Sequence, residues 1–332
     1  DFLFTSFIPE VGYDQALINF AFRALPVIIF FSSLIAATYH IGVIQIIIKN
    51  IANVMEKTMK TSGAETLSIS ANIFVGQTEA PILIRPYISK MTNSELMTVM
   101  VGGFSTVAGS VMALYVTWLN NIPEIAGHLL AASVMSAPAA LMVAKIIYPE
   151  TKSYQIISSN SINLKSQDNN LVDAIGRGAT DGLKLAANVA AMLIAFISLV
   201  AMINFILGLL GTSMQEMLGL LFKPLAWTMG IPWADAKIVG TLMGEKIVLT
   251  ELIAFRDLSD YVSNNTISER SLIIASYALC GFANFGSIGI QLGGIGSMAP
   301  KRKKDLSKLV FKAMLGGAIA SWLTASIVGI LI

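Results

Sequence analysis

Apolar runs long enough to cross a membrane recur along this chain, separated by short polar stretches. A transmembrane helix needs roughly 20 mainly apolar residues. Six runs reach that length: residues 20–48, 96–119, 125–148, 183–211, 271–291 and 309–332. Small and polar residues interrupt two of them, at 102–110 and at 281–289. The pattern predicts an all-α polytopic membrane protein with two broken transmembrane helices.

Two further apolar stretches are divided by polar residues into limbs too short to span a membrane. Residues 64–84 are divided by Q-T-E at 77–79, and residues 234–256 by T-E at 250–251. A carboxylate in the bilayer costs on the order of 3 kcal/mol, and irregular backbone is tolerated there only inside protein or beside a cavity. Each stretch therefore predicts a re-entrant helical hairpin with a polar tip.

The remaining segments are predicted from local signals. They are an interfacial segment at 1–19, a basic amphipathic interfacial helix at 47–60, a capping box (T-N-S-E) at 92–95, a hydrophilic loop entering a polar helix at 149–181, short surface helices at 212–233, and a Gly-rich turn with a basic cluster at 293–308.

Composition and charge agree with a membrane protein. Of the 332 residues, 55% are apolar and 13% charged, against about 25% charged in soluble domains. One cysteine excludes a disulfide framework, and two distant histidines exclude a His-rich metal site. Most basic residues fall on one side if the spans alternate, which makes those loops cytoplasmic. The other side keeps only a few near its loops: Lys223, Lys237, Lys246, Arg256 and Arg270.

The hairpins and the spans after them form an internal repeat. T-E-A-P-I-L-I-R at 78–85 and T-E-L-I-A-F-R at 250–256 share a Thr-Glu tip, an apolar limb and a closing arginine. A span with a Gly-Phe-led break follows each, G-F-S-T-V-A-G-S at 103–110 and G-F-A-N-F-G-S at 281–287. Three crossings separate the hairpins, so they open from opposite sides. Inverted repeats with paired interrupted segments are typical of secondary transporters, whose binding sites lie at those segments.

The tips and breaks supply a candidate binding site. It combines two carboxylates, two amides, two hydroxyls, an aromatic ring and a valine: Glu79, Glu251, Gln77, Asn284, Thr78, Ser287, Phe282 and Val111. Carboxylates accept vicinal hydroxyls, an amide pairs with a base edge, and apolar groups pack on a ring face. The set suits a neutral, polyhydroxylated ligand with a flat ring. The alternative is structural: the glutamates bond to hairpin backbone, and Ser287 bonds to the preceding helical turn.

A cation site is indicated beside the first hairpin. Asn72 offers a side-chain oxygen, Thr106 a hydroxyl, and broken helices free carbonyls such as those of Val75 and Val107. Hard oxygen ligands around a small pocket suit an alkali cation. The alternatives are that Asn72 only caps the hairpin limb and that Thr106 bonds to the preceding turn.

Several motifs together resemble the concentrative nucleoside transporters, from residue 20 to the C-terminus. They are G-Q-T-E-A-P (76–81), G-G-F-S-T-V-A-G-S-V (102–111), G-A-T-D-G-L-K-L-A-A-N-V-A-A-M-L-I-A-F (178–196), A-L-C-G-F-A-N-F-G-S-I-G-I (278–290) and G-S-M-A-P-K-R-K-K-D-L (296–306). The resemblance implies a sodium-coupled bacterial transporter of the inner membrane that imports nucleosides such as uridine. It also implies a homotrimer in contact with membrane lipid and without a nucleic-acid partner.

The family's fold combines inverted repeats, a scaffold and a mobile, elevator-type transport domain. The resemblance implies four regions: 1–50 with the N-terminal interfacial segment and a scaffold span, 51–182 with the first repeat of the transport domain, 183–212 with a second scaffold span, and 213–332 with the second repeat. It also divides the site into nucleobase contacts (Gly76, Gln77, Thr78, Glu79 and Val111, with Phe282 nearby), ribose contacts (Glu251, Asn284 and Ser287) and sodium ligands (Asn72, Thr106 and the carbonyls of Val75 and Val107).

Three features depart from the family pattern. The second hairpin has T-E-L at 250–252 where the family has Asn-Glu-Phe, which keeps the carboxylate and removes an amide. Gly76 stands where many animal members have serine, which leaves room for a bulkier base. The family has further spans before the first one here, and the chain lacks an initiator Met, so we expect it to be N-terminally short.

Two coupling schemes remain open from the sequence. Asn72 and Thr106 favour sodium symport, whereas proton symport would use protonation of Glu79 or Glu251. Two hairpins of opposite orientation disfavour a channel. An enzyme is disfavoured because no Asp lies in a predicted span and no Ser there has a His partner.

Overall fold

The structure is a computed structural model that describes residues 25–151, 162, 164 and 168–332. Helices make up nearly all of this part of the chain, and it contains no strand. The helices are α1 Leu25–Ile41, α2 Val43–Met59, α3 Gly63–Asn72, α4 Arg85–Ile88, α5 Asn93–Ser105, α6 Gly109–Trp118, α7 Ile125–Ile147, α8 Leu171–Gly208, α9 Met214–Thr228, α10 Ala236–Val248, α11 Glu251–Ser263, α12 Glu269–Leu279, α13 Phe285–Met298 and α14 Lys303–Leu331. The segment predicted at 1–19 and part of the loop predicted at 149–181 lie outside the described residues.

Within the part of the chain that the structure describes, three stretches are long and apolar enough to cross a membrane: Asn93–Trp118, Ile125–Ile147 and Pro300–Leu331. A fourth candidate is the pair of α1 and α2, which is bent by 76°. The bend lies at Gly42, whose φ of 97° is readily adopted only by a residue without a β-carbon. The predicted boundary between a span at 20–48 and a helix at 47–60 was therefore wrong, because the first helix already ends at Ile41.

Both predicted hairpins are present. In the first, α3 leads into a turn at 73–79, and the 3-10 helix Ala80–Ile84 and α4 return from it. In the second, α10 and α11 are joined at Leu249-Thr250, where the Thr250 hydroxyl accepts a bond from Ile253 N at 3.4 Å. The predicted capping box is also present, since Thr92 N donates to Glu95 Oε2 at 2.8 Å and Glu95 N to Thr92 Oγ1 at 3.1 Å.

The helix breaks are shorter than predicted. One covers residues 106–108, between α5 and α6, and the other residues 280–284, between α12 and α13. The other glycines of the predicted breaks lie within regular helix, because a helix interior tolerates glycine at a cost of about 1 kcal/mol; they are Gly102, Gly103, Gly109, Gly286 and Gly289. Likewise residues 293–298 continue α13 instead of forming a turn, and α9 is a single helix of 15 residues in place of several short ones.

The two breaks pack directly on each other. Gly281 has a φ of 113°, and a β-carbon there would lie 2.7 Å from the Phe104 carbonyl oxygen and 2.8 Å from the Ser105 carbonyl oxygen. Only glycine allows this approach. Helix α14 lies behind the first break, where a β-carbon on Gly317 would meet the Phe104 β-carbon at 2.4 Å. The broken segments of both repeats therefore meet in the interior.

Helices α1 and α8 pack closely on each other. A β-carbon on Gly178 would lie 2.7 Å from the Ser32 carbonyl oxygen, and one on Gly182 would lie 2.8 Å from the Ile29 α-carbon. Small residues at such crossings let membrane helices approach closely. This pair carries the described parts of both predicted scaffold spans.

Candidate functional site

The tip of the first hairpin is ordered by its own backbone. Gly76 N donates to Glu79 Oε2 at 3.0 Å, and Ala80 N donates to the Gly76 carbonyl at 3.0 Å. Gly109 N donates to the Phe74 carbonyl at 3.1 Å, which ties the tip to the start of α6. Glu79 therefore bonds to the hairpin backbone, as the structural alternative held, although the residue is exposed.

A cavity of about 590 Å³ separates this tip from the α1–α8 pair. Phe74, Val75 and Glu79 line it on the hairpin side, and Tyr39 and Arg177 line it on the other. Arg177 is held by Asp168, with nitrogen–oxygen distances of 2.7 and 2.9 Å. Glu79 therefore faces a space large enough to hold a small polar molecule.

Gln77 connects the first hairpin to the second repeat. Its Nε2 donates to Ser287 Oγ at 3.2 Å, and its Oε1 accepts a bond from Gln291 Nε2 at 3.2 Å. Gln291 Nε2 also donates to the Met100 carbonyl at 3.1 Å. The Ser287 hydroxyl thus bonds to a side chain of the other repeat. The alternative was a hydrogen bond to the preceding helical turn.

Glu251 of the second hairpin joins the same network. Its Oε2 accepts a bond from Asn284 Nδ2 at 2.8 Å, and its Oε1 accepts one from the Tyr115 hydroxyl at 3.1 Å. Asn284 Oδ1 accepts a bond from Ser287 N at 2.7 Å, which caps α13. One continuous chain of contacts therefore runs from Gln77 through the second break to Glu251.

The apolar members of the predicted site lie around this network. Val111, at the start of α6, is buried in the same apolar cluster as Tyr115, and Phe282 packs against that cluster. Thr78 lies against α13, because a β-carbon on Gly294 would come within 2.7 Å of its methyl group. The structure thus provides an apolar wall beside the hydrogen-bonding groups.

The predicted cation ligands lie at the C-terminal ends of α3 and α5. Asn72 is fully buried, its Nδ2 donates to the Ser68 carbonyl at 3.2 Å, and its Oδ1 has no hydrogen-bond partner among the described residues. Thr106 donates its hydroxyl to the Gly102 carbonyl at 3.2 Å, as the structural alternative held, which leaves its oxygen free to accept. Val75 and Val107 are buried as well. A buried oxygen without a partner fits a cation ligand.

Three residues of the region were missed by the sequence analysis. Tyr115 stacks on Phe255, with ring centroids 4.1 Å apart, and Gln291 bonds to Gln77. Each lies one helical turn after a predicted site residue, Val111 or Ser287, so helical spacing could have found it. Lys246 was expected near a loop, but it is completely buried.

Comparison with known families identifies the chain. Residues 128–329 match the family described as Na+ dependent nucleoside transporter C-terminus. Residues 21–122 match a family described as Gate, nucleoside recognition. The chain belongs to the concentrative nucleoside transporter family. The resemblance in its motifs is therefore confirmed.

Curated relatives cover almost the whole chain. Sodium/nucleoside cotransporter 1 of Rattus norvegicus is 43% identical over 343 residues, which are 96% of this chain and 52% of the relative. An uncharacterized transporter, YutK, of Bacillus subtilis is 43% identical over 331 residues, 97% of this chain and 80% of the relative. The chain spans about half the length of the mammalian cotransporters it matches. These relatives are transporters and not enzymes.

Solved structures of one transporter, CNTnw, share the fold. CNTnw in an inward-facing substrate-bound state has a TM-score of 0.86 and 45% identity, over 93% of this chain and 74% of that one. A variant of CNTnw in an outward-facing state has a TM-score of 0.86 and 44% identity, over 93% of this chain and 74% of that one. The predicted fold class, an all-α multi-pass membrane protein with re-entrant hairpins and broken helices, is confirmed.

Proposed function

We propose that this chain imports nucleosides by sodium symport, through an elevator-type alternating-access movement. The observation that carries the proposal is the buried network from Gln77 through Ser287 and Asn284 to Glu251, which joins both hairpins in the protein interior. The relatives named sodium/nucleoside cotransporters support the substrate class and the ion. The inward-facing and outward-facing forms of CNTnw support alternating access.

The ribose would bind at the second hairpin. The Glu251 carboxylate, oriented by Tyr115 and Asn284, would accept hydrogen bonds from vicinal hydroxyls, and the Asn284 amide and the Ser287 hydroxyl would complete the contact. Hydrogen bonds to a charged acceptor are about twice as strong as neutral ones. The ribose would therefore be the part of the ligand that is recognised most strictly.

The nucleobase would bind at the first hairpin. The Gln77 amide presents both a donor and an acceptor, as a base edge requires. Thr78 and Glu79 add polar contacts, while Val111 and Phe282 pack on the ring. A β-carbon on Gly76 would have no neighbour closer than 3.6 Å, so this position leaves space beside the base.

Sodium would bind at the first hairpin and the first break. Its ligands would be Asn72 Oδ1, the Thr106 oxygen and the carbonyls of Val75 and Val107. Because these groups come from both segments, the ion would order the hairpin tip against the break and raise nucleoside affinity. By linkage, the nucleoside raises sodium affinity by the same factor.

The movement would take place between a scaffold that contains α1 and residues 183–208 of α8 and the rest of the chain. Residues 1–50 and 183–212 would supply the scaffold, and residues 51–182 and 213–332 would carry the ligands. We propose a homotrimer in the inner membrane with basic loops in the cytoplasm. The cavity at Glu79 would be the route between the binding site and one side of the membrane.

Uptake into proteoliposomes tests this function. An inward sodium gradient should drive saturable accumulation of radiolabelled uridine above its external concentration, and adding a sodium ionophore should abolish it. Uptake that only equilibrates uridine, or that follows a proton gradient at constant sodium, contradicts sodium symport.

A further inference from the structure

We propose that Lys246 is a built-in cation of the second hairpin, a positioning residue that holds the second break so that Asn284 and Glu251 face the ligand. This inference rests on the proposed function, because the ligand in question is the nucleoside.

The Lys246 ammonium is enclosed by oxygen acceptors. The residue is completely buried, and its Nζ lies 2.9 Å from the Ala278 carbonyl, 3.0 Å from the Cys280 carbonyl and 3.1 Å from Ser321 Oγ. The Ser321 hydroxyl donates to the Gly317 carbonyl at 3.0 Å, so its oxygen accepts from the lysine. Three acceptors around one nitrogen require three N–H groups, which only the charged form has.

These acceptors include the end of a broken helix. Helix α12 ends at Leu279, and carbonyls at a helix C-terminus lose their partners and carry partial negative charge. Lys246 binds two carbonyls there. From Cys280 the chain passes through Gly281 and reaches Asn284 four residues later. The lysine thus fixes the start of the segment whose end carries a ribose contact.

The first repeat handles the same position differently. Thr106 is the C-cap residue of α5, as Cys280 is of α12. Asn72 of the first hairpin lies beside Gly102, whose carbonyl accepts the Thr106 hydroxyl, and its Oδ1, which has no partner among the described residues, suits a free cation. Near Cys280, the second hairpin places an ammonium. One break would therefore be ordered by a transported ion, and the other by a cation that is part of the chain.

The test compares Lys246→Met with Lys237→Met, an exposed lysine on the same helix. Purified chain is titrated with uridine and with 2′,3′-dideoxyuridine in sodium. We expect the affinity for uridine, divided by that for the dideoxy analogue, to fall about tenfold in Lys246→Met, because a charge-assisted contact behind the ribose residues is lost. The same ratio should stay unchanged in Lys237→Met. A ratio that is also unchanged in Lys246→Met, including one in which both affinities fall equally, overturns the positioning role.

A second readout needs no nucleoside. Cys280 is the only cysteine and is fully buried, so its alkylation by N-ethylmaleimide, followed by mass spectrometry, reports on the break. We expect slow alkylation in wild type and Lys237→Met, and alkylation at least about tenfold faster in Lys246→Met. Ser321→Ala keeps the lysine charge and removes one of its three acceptors, so we expect a smaller increase in alkylation rate than in Lys246→Met. This variant supplies the measurement if Lys246→Met fails to fold.

The two readouts separate the two proposals. Wild-type protein that binds neither nucleoside contradicts the proposed function, while the Cys280 measurement still tests the lysine. Alkylation rates that match wild type in both Lys246→Met and Ser321→Ala overturn the inference.

Discussion

Gln77 of the first hairpin donates a hydrogen bond to Ser287 of the second broken helix, with a nitrogen–oxygen distance of 3.2 Å. The two residues are 210 positions apart, and their contact lies where the two repeats meet. Because Ser287 N also binds Asn284 Oδ1, a movement of either hairpin changes the geometry of the other's contacts. The site is therefore a single unit formed by both repeats.

Glu251→Gln tests the ribose contact. The amide has nearly the same size, but it loses the charge that Tyr115 and Asn284 contact. We expect uridine affinity to fall about 10- to 100-fold in equilibrium binding, the value of a hydrogen bond to a charged group. The exposed Glu269→Gln is the control and should bind like wild type. Normal uridine affinity in Glu251→Gln contradicts the ribose assignment.

Asn72→Ala tests the cation site. Removing the buried Oδ1 should raise the sodium concentration needed for half-maximal uridine binding about tenfold or more, since one ligand of the ion is lost. The measurement is a sodium titration at fixed uridine concentration. Asn264→Ala, an exposed change, serves as the control. Unaltered sodium dependence in Asn72→Ala excludes this site.

Gly281→Ala tests the contact between the two breaks. An alanine there has an unfavourable φ of 113° and a β-carbon 2.7 Å from the Phe104 carbonyl oxygen, so we expect a loss of at least about 2 kcal/mol in the free energy of unfolding. Gly289→Ala on α13 is the matched control, because its added β-carbon would have no neighbour within 4 Å. Thermal unfolding in detergent compares them, and equal stability of the two variants contradicts the packing.

Asp235, in the turn before α10, predicts a pH dependence of stability. Burial alone raises the pKa of this carboxyl, but hydrogen bonds from Ser268 and Ser271 outweigh it and lower the pKa overall. A carboxyl with a lowered folded-state pKa stabilises the fold above its unfolded pKa of about 3.9, and this stabilisation disappears as the pH falls through the folded value.

The stability difference between wild type and Asp235→Asn should therefore be largest near neutral pH and should shrink below about pH 4. Melting temperatures measured across this range check it, with the exposed Asp260→Asn as the control. A stability difference between wild type and Asp235→Asn that grows as the pH falls contradicts this prediction.

The hairpins could be predicted because short apolar limbs around a Thr-Glu pair have few other solutions in a membrane. The meeting of Glu251, Asn284 and Ser287 followed from the repeat. The limits of the helix breaks could not be predicted, because the glycines around them look alike in sequence. Of these glycines, only Gly281 has a positive φ.

Two other features also depend on tertiary contacts. Tyr115 was missed because an aromatic residue on an apolar helix face gives no sign that its hydroxyl reaches a carboxylate. Lys246 was expected near a loop, and its burial could not be predicted, because lysine is rarely buried and the acceptors of its ammonium are 32 or more positions away in the sequence. Neither pattern is visible in a single segment.

Equilibrium binding of radiolabelled uridine to the purified chain, in sodium and in choline at one fixed pH, tests the central claim most directly. Sodium-linked binding predicts at least about tenfold higher affinity in sodium, within the usual range of coupling between two sites. Adenosine measured in the same way sets the base preference. Uridine binding that is equal in sodium and in choline contradicts the account.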